Sequence, residues 1–250
     1  MPTAGGSIRL FRIFGIEAFL HWSWFLIAIY EVQQWRAIFT SPVWAVVLYL
    51  GLFVFVTMHE FGHALACRQT GGRAEKIFLW PLGGIAFVAP PARAGAMLWS
   101  IAAGPLVNVA LIPILSFARV AAERAGWVNN NLDAYLLLVW LWRINLWLLI
   151  FNILPIYPLD GGQILRALLW FPLGQIRSLL VATAIGFAGG AALILFAIWQ
   201  QSFWIGLIAF FLLSRAVVGW KQARLLQAEE AGMTATPPTE PDLPEKKAVL

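Results

Sequence analysis

VWAVVLYLGLFVFVTMHEFGHALAC, residues 43–67, is apolar along most of its length and carries His59, Glu60 and His63 together in its last third. Wound as a helix at about 1.5 Å per residue it is roughly 37 Å long, enough to cross a hydrocarbon core of about 30 Å. In that helix the two histidines, at i and i+4, share one face and can bind a single zinc. The glutamate between them can act on a metal-bound water. Histidines held only by hydrogen bonds make the weaker reading, because three such side chains on a membrane-buried face are costly without a metal.

The remainder of the chain points to the same solvent. Hydrophobic residues make up 61% of it and charged residues only 12%, against about 25% charged in an ordinary soluble domain. We expect an all-α integral membrane protein. Cys67 is the single cysteine, so an intramolecular disulfide or a cysteine-rich metal cluster is excluded. The net charge of +5 does not indicate nucleic acid, because the basic residues stand at the edges of apolar runs rather than along one helical face. They read as topology signals.

About six transmembrane helices can be marked, over Gly15–Trp35, Val43–Cys67, Ala96–Val120, Leu132–Pro155, Ser178–Trp199 and Phe203–Val218. Glu17, His21 and Glu31 interrupt the first. Arg9 and Arg12 precede it as in a signal peptide, but tryptophans fill the region where a small-residue cleavage site would fall, so it is expected to stay as an anchor. Six spans put both termini on one side. Arg9, Arg12, Arg68, Arg73, Lys76, Arg93, Arg166, Arg177, Arg215, Lys221 and Arg224 fall on that side, against Arg36, Arg119 and Arg124 opposite, which makes both termini cytoplasmic in the cell membrane. Residues 1–225 form the membrane core. Residues 226–250 turn polar and proline-rich and are expected to be a disordered cytoplasmic tail.

With this topology His59 lies roughly 14 Å below the cytoplasmic boundary and roughly 24 Å from the other face. Two histidines leave zinc one protein ligand short of a catalytic set. Asp160 is the favoured third ligand. It follows Pro155 and Pro158, which end the fourth helix, and precedes Gly161 and Gly162, which permit a tight turn. Its depth matches that of His59 and His63. Cys67, one turn beyond His63, competes on spacing, but a lone buried cysteine is usually packing.

These elements together resemble the site-2 proteases, zinc metalloproteases that cut within the membrane. The resemblance rests on His59-Glu60-Phe61-Gly62-His63, on Gly104-Pro105-Leu106-Val107-Asn108, and on Asn152 through Gly162 as N-x-x-P-x-x-P-L-D-G-G, in matching order over most of residues 8–220. It implies His59, His63 and Asp160 as ligands of one zinc ion and Glu60 as the catalytic residue. It also implies that Pro81-Leu82-Gly83-Gly84-Ile85 belongs to a short membrane-associated β-hairpin that receives an unwound substrate, with Gly83 and Gly84 at the binding position. The chain would be a short form without PDZ or CBS domains. Its implied substrate is a single-span membrane protein already trimmed by another protease, such as an anti-sigma factor or another membrane-tethered regulator.

The residues themselves bear on some of this. Lys76–Val88 is too short to span as a helix and carries Gly83-Gly84 between two apolar runs, which suits a hairpin and equally a re-entrant loop. Asn108 and Asn152 can orient substrate or stabilise an oxyanion. They can equally bond across a helix interface, or satisfy carbonyls freed by Pro155. Arg143, roughly 15 Å into its span, calls for a buried acidic partner such as Glu17 or Glu31. His21 reads as a hydrogen-bonded helix histidine or as a gate. Trp35, Trp44, Trp99, Trp127 and Trp199 suit an interfacial belt.

Two other functions compete with the intramembrane protease. A prenyl-peptide endopeptidase would recruit a later histidine or glutamate, yet no histidine follows His63. A zinc carrier or scaffold would use both histidines and Asp160 but not Glu60.

Overall fold

The computed structural model describes residues 6–80 and 83–235, with the side chains of residues 83–86 and 231–235 left undescribed. In chain order they form β1 (Ser7–Ile13), β2 (Ile16–His21), α1 (Ser23–Trp35), α2 (Pro42–Gln69), β3 (Arg73–Trp80), β4 (Gly83–Ala89), α3 (Ala94–Arg124), α4 (Trp127–Asn130), α5 (Leu132–Ile153), α6 (Asp160–Trp199) and α7 (Phe203–Ala235). Among the described residues five helices, α2, α3, α5, α6 and α7, are long and apolar enough to cross a membrane. Large apolar side chains such as Phe117, Trp147 and Phe210 are exposed on their outer faces, where lipid rather than water solvates them at no cost. This is a multi-pass membrane protein.

The expected first span is not one helix. Residues 16–21 alternate buried and half-buried side chains along β2, the period of a strand, and Glu17 pairs with Arg9 of β1 at 3.4 Å. What remains, α1, is thirteen residues, about 20 Å, too short for a hydrocarbon core of about 30 Å. The hairpin expected from Gly83-Gly84 does form: β3 and β4 are antiparallel, with Trp80 opposite Gly83 and Leu79 opposite Gly84. Pro81 and Leu82 lie outside the described residues. The hairpin is half of a larger sheet in the order β1-β2-β3-β4, in which β2 runs parallel to β3 with Glu17 opposite Lys76. Parallel neighbours need a long crossover, and α1 and α2 supply it. Ile16 and Leu20 of β2 and Ile77 and Leu79 of β3 pack with Ala64 and Cys67 of α2, which fixes the sheet at the C-terminal end of that helix.

α2 begins with Pro42 in its first turn, behind Ser41, whose side chain accepts from the Val43 N–H, an arrangement that suits proline and satisfies an otherwise orphan donor. Its 28 residues extend about 42 Å.

After α5 the chain turns through residues 154–159 and a helix restarts at Asp160 itself, well before the expected span at Ser178. α6 breaks at Gly174, where φ is 78° and ψ 172°, two residues beyond Pro172. The second arm returns to the level of the first residue. At Gly186 a Cβ would stand 2.7 Å from the Tyr157 carbonyl oxygen, so the second arm, about 37 Å long, folds back beside the first, about 21 Å. The expected fifth span is this second arm. α7 likewise runs past the expected boundary at residue 225 to Ala235, because Gln222–Ala228 is built of strong helix formers. The expected tail beyond residue 235 lies outside the described residues.

Candidate metal centre

α2 places His59, Glu60 and His63 in its second half, all buried. α3 crosses directly over them because two glycines let it. A Cβ on Gly104 would stand 2.3 Å from His63 Nε2 and 2.8 Å from His59 Nε2, and a Cβ on Gly62 would stand 2.7 Å from the Ala103 carbonyl oxygen. Any side chain at position 104 would occupy the space in which the histidine donors stand.

The third donor arrives from the start of α6. Asp160 Oδ2 is 2.9 Å from His59 Nε2 and 3.4 Å from His63 Nε2, and the two Nε2 atoms are 3.0 Å apart. Gly161 and Gly162 serve this placement by close approach rather than by a turn. They are helical, and a Cβ on either would lie 2.1 Å from the Ile153 oxygen or 2.3 Å from the Tyr157 nitrogen.

The outer nitrogens of both rings are engaged. His63 Nδ1 is 2.9 Å from the Ser100 carbonyl oxygen, and His59 Nδ1 is 2.7 Å from Asn108 Oδ1. A carbonyl can only accept, so each Nδ1 carries the proton and each Nε2 presents a lone pair to the other and to Asp160. Three facing lone-pair donors repel unless a metal cation or a proton sits among them. Zinc held tetrahedrally at about 2.0–2.1 Å sets its ligand atoms about 3.3–3.4 Å apart, and the observed triangle of 2.9, 3.0 and 3.4 Å is within a few tenths of an ångström of that. The donor set fits zinc. Glu60, His59 and His63 also offer donor atoms that all lie within 4.8 Å of one another. The buried Glu60 carboxylate therefore stands beside the donor triangle.

Cys67 is not among these groups. Its Sγ is 3.5 Å from the Arg73 carbonyl oxygen and it packs with the β2–β3 core. Asn108 sits on α3 beside His59. It is fully buried, its Oδ1 faces His59, and its Nδ2 donates to Asn145 Oδ1 at 2.9 Å, so its amide is committed to the protein. Asn152, in the last turn of α5, is half-buried, and among the described residues its side chain has no hydrogen-bond partner. Gly83 and Gly84 open β4, the strand at one edge of the sheet. His21 ends β2 with Nδ1 2.5 Å from Ser23 Oγ. The acidic partner expected for Arg143 is not found among the described residues. Its guanidinium lies over the Trp140 ring at 5.1 Å on an exposed face of α5, while Glu17 is taken by Arg9.

Ser100 and Asn145 join the site only in the folded structure. Ser100 acts through its main-chain oxygen, which no sequence pattern marks. Asn145 carried the same signal as Asn152, a neutral polar group in an apolar span.

The model of peptidase family M50 matches residues 47–124 and 120–197, which include all three donors. The chain belongs to peptidase family M50, the site-2 proteases. This M50 chain is 33% identical over 205 residues to a zinc metalloprotease of Methanocaldococcus jannaschii, covering 82% of the chain and 58% of that relative. It is 32% identical over 121 residues to stage IV sporulation protein FB of Bacillus subtilis, covering 46% of the chain and 38% of that protein. A solved structure of a site-2 protease from Methanocaldococcus jannaschii superposes with a TM-score of 0.59 at 29% identity, covering 86% of the M50 chain and 95% of the other. The chain thus spans well under two thirds of the length of the curated relatives named here.

Proposed function

We propose that the chain is a zinc-dependent intramembrane endopeptidase that hydrolyses a peptide bond within or near a transmembrane segment of another membrane protein. The observation that carries this is the meeting of His59, His63 and Asp160 within 3.4 Å of one another, beside the buried carboxylate of Glu60, on helices long enough to span a bilayer.

His59, His63 and Asp160 hold the metal. Bound zinc supplies Lewis acidity, which makes water nucleophilic near neutral pH and polarises the scissile carbonyl. Glu60 accepts a proton from the attacking water and passes it to the leaving nitrogen as the C–N bond breaks, giving a carboxylate and an amine. Ser100 O and Asn108 Oδ1 hold the two imidazoles so that Nε2 faces inward. Asn152, whose amide has no hydrogen-bond partner among the described residues, is the better placed of the two asparagines to meet substrate. A helical peptide bond is shielded by its own hydrogen bonds, so substrate has to be extended before cleavage. The edge strand β4, opening at Gly83 and Gly84, offers main-chain partners for such a segment. The substrate class is a single-span membrane protein, such as a membrane-tethered regulator, and the basic residues favour cytoplasmic termini.

Glu60→Gln tests this in purified, reconstituted protein. Zinc retained at parental stoichiometry with cleavage of single-span substrates reduced by roughly 10²–10⁴ is the expected result. Undiminished cleavage would remove Glu60 from the mechanism, and a parent that binds zinc yet cleaves no single-span substrate would favour a carrier.

A further inference from the structure

The two histidines have their ring protons fixed in different ways. His63 meets a main-chain carbonyl, that of Ser100, at 2.9 Å, and a main-chain oxygen cannot donate. His59 meets a side-chain amide, Asn108, and an amide can present either its oxygen or its nitrogen. With nitrogen presented, His59 Nδ1 would have to accept, its proton would move to Nε2, and the metal-facing lone pair would be lost. Something must hold Asn108 oxygen-first.

We propose that Asn145 does so, as a positioning residue of the metal centre. Its Nδ2 donates to the Asn108 main-chain oxygen at 2.9 Å, and its Oδ1 accepts from Asn108 Nδ2 at 2.9 Å. The first contact is decided by an atom that can only accept, so Asn145 must present nitrogen there and oxygen to Asn108. Asn108 in turn must present nitrogen to Asn145 and oxygen to His59. The polarity of one α3 carbonyl is thus relayed through two amides to the lone pair on His59 Nε2. Asn108 and Asn145 have no exposure and His59 only 5%, so water cannot supply alternative partners. The relay joins α2, α3 and α5, and a reversed amide at either asparagine would leave buried donors facing each other without an acceptor.

This inference rests on the proposed metal centre. Its test measures zinc affinity by chelator competition on the purified full chain, together with the visible spectrum of the cobalt(II)-loaded protein. Asn145→Leu and the milder Asn145→Ser are each expected to weaken zinc about tenfold, the lower end for outer-shell partners, and to shift the cobalt bands. Because Asn145 acts through Asn108, adding Asn145→Leu to Asn108→Leu is expected to cause no further loss. Parental affinity and spectrum in a folded Asn145 variant, or losses that multiply in the double variant, would overturn the relay. His59→Ala separates the two levels: if it leaves zinc affinity intact, the metal centre itself is refuted and the relay falls with it.

Discussion

Replacing Gly104 by alanine puts a methyl group 2.3 Å from His63 Nε2 and 2.8 Å from His59 Nε2. Unstrained carbon contacts start near 3.5 Å, so either the imidazoles or the whole of α3 must withdraw by about 1 Å. α3 is not free to do so, since Ala103 O already lies against Gly62 and Asn108 is bonded to both His59 and Asn145. Overpacking of this kind costs about 1–3 kcal/mol of stability. Zinc–nitrogen distances tolerate only about 0.2 Å, and a 1 Å misplacement of reacting groups costs roughly 10² in rate. Gly104→Ala is therefore expected to weaken zinc by at least about tenfold, and cleavage of a single-span substrate by roughly 10². Gly95 lies in the same helix with nothing within 4 Å of its Cβ position, so Gly95→Ala is the control, expected within about 1 kcal/mol of the parent in stability and unchanged in zinc affinity. Chelator competition and thermal unfolding of both variants in one detergent decide it. Parental zinc affinity and cleavage in Gly104→Ala would show that α3 does not close over the histidines as described.

The same measurements apply to the third ligand: Asp160→Ala is expected to lose zinc by at least about tenfold, while Cys67→Ala keeps it, and the reverse outcome would move the site one turn along α2. Away from the metal, Asp133 on α5 accepts from the Thr40 N–H at 3.1 Å and from the Thr40 hydroxyl, with only 8% exposure. Asp133→Ala strands those donors and should cost about 1–3 kcal/mol, read as a lowered Tm with zinc affinity unchanged; an unaltered Tm would mean that water replaces the carboxylate.

The candidate metal donors were legible because their chemistry is local or marked by punctuation. His59, Glu60 and His63 sit within one helical turn and a half, and Asp160 stands in a cluster of prolines and glycines that only a broken helix would tolerate. The N-terminal segment was misread for a physical reason. Residues 15–35 are apolar enough for a span, and hydropathy does not register whether such a run is solvated by lipid or by a sheet. Ile16, Ala18 and Leu20 are buried against β3 and α2, in alternation too short to stand out within a longer apolar run. Depth along a helix is likewise no measure of burial, and the Arg143 side chain points outward, over Trp140.

The sequence by itself determined the solvent and the metal chemistry, since apolar run length and the i, i+4 histidine spacing are properties of a single helix. Only the tertiary structure decided that the Nε2 atoms of both histidines face each other and Asp160. It also decided what Gly104 excludes, and that Asn108 faces His59. Those facts depend on α2, α3, α5 and α6 meeting within hydrogen-bond distance, and the atoms that settle them include the main-chain oxygens of Ser100 and Asn108, which every residue possesses and no sequence can distinguish.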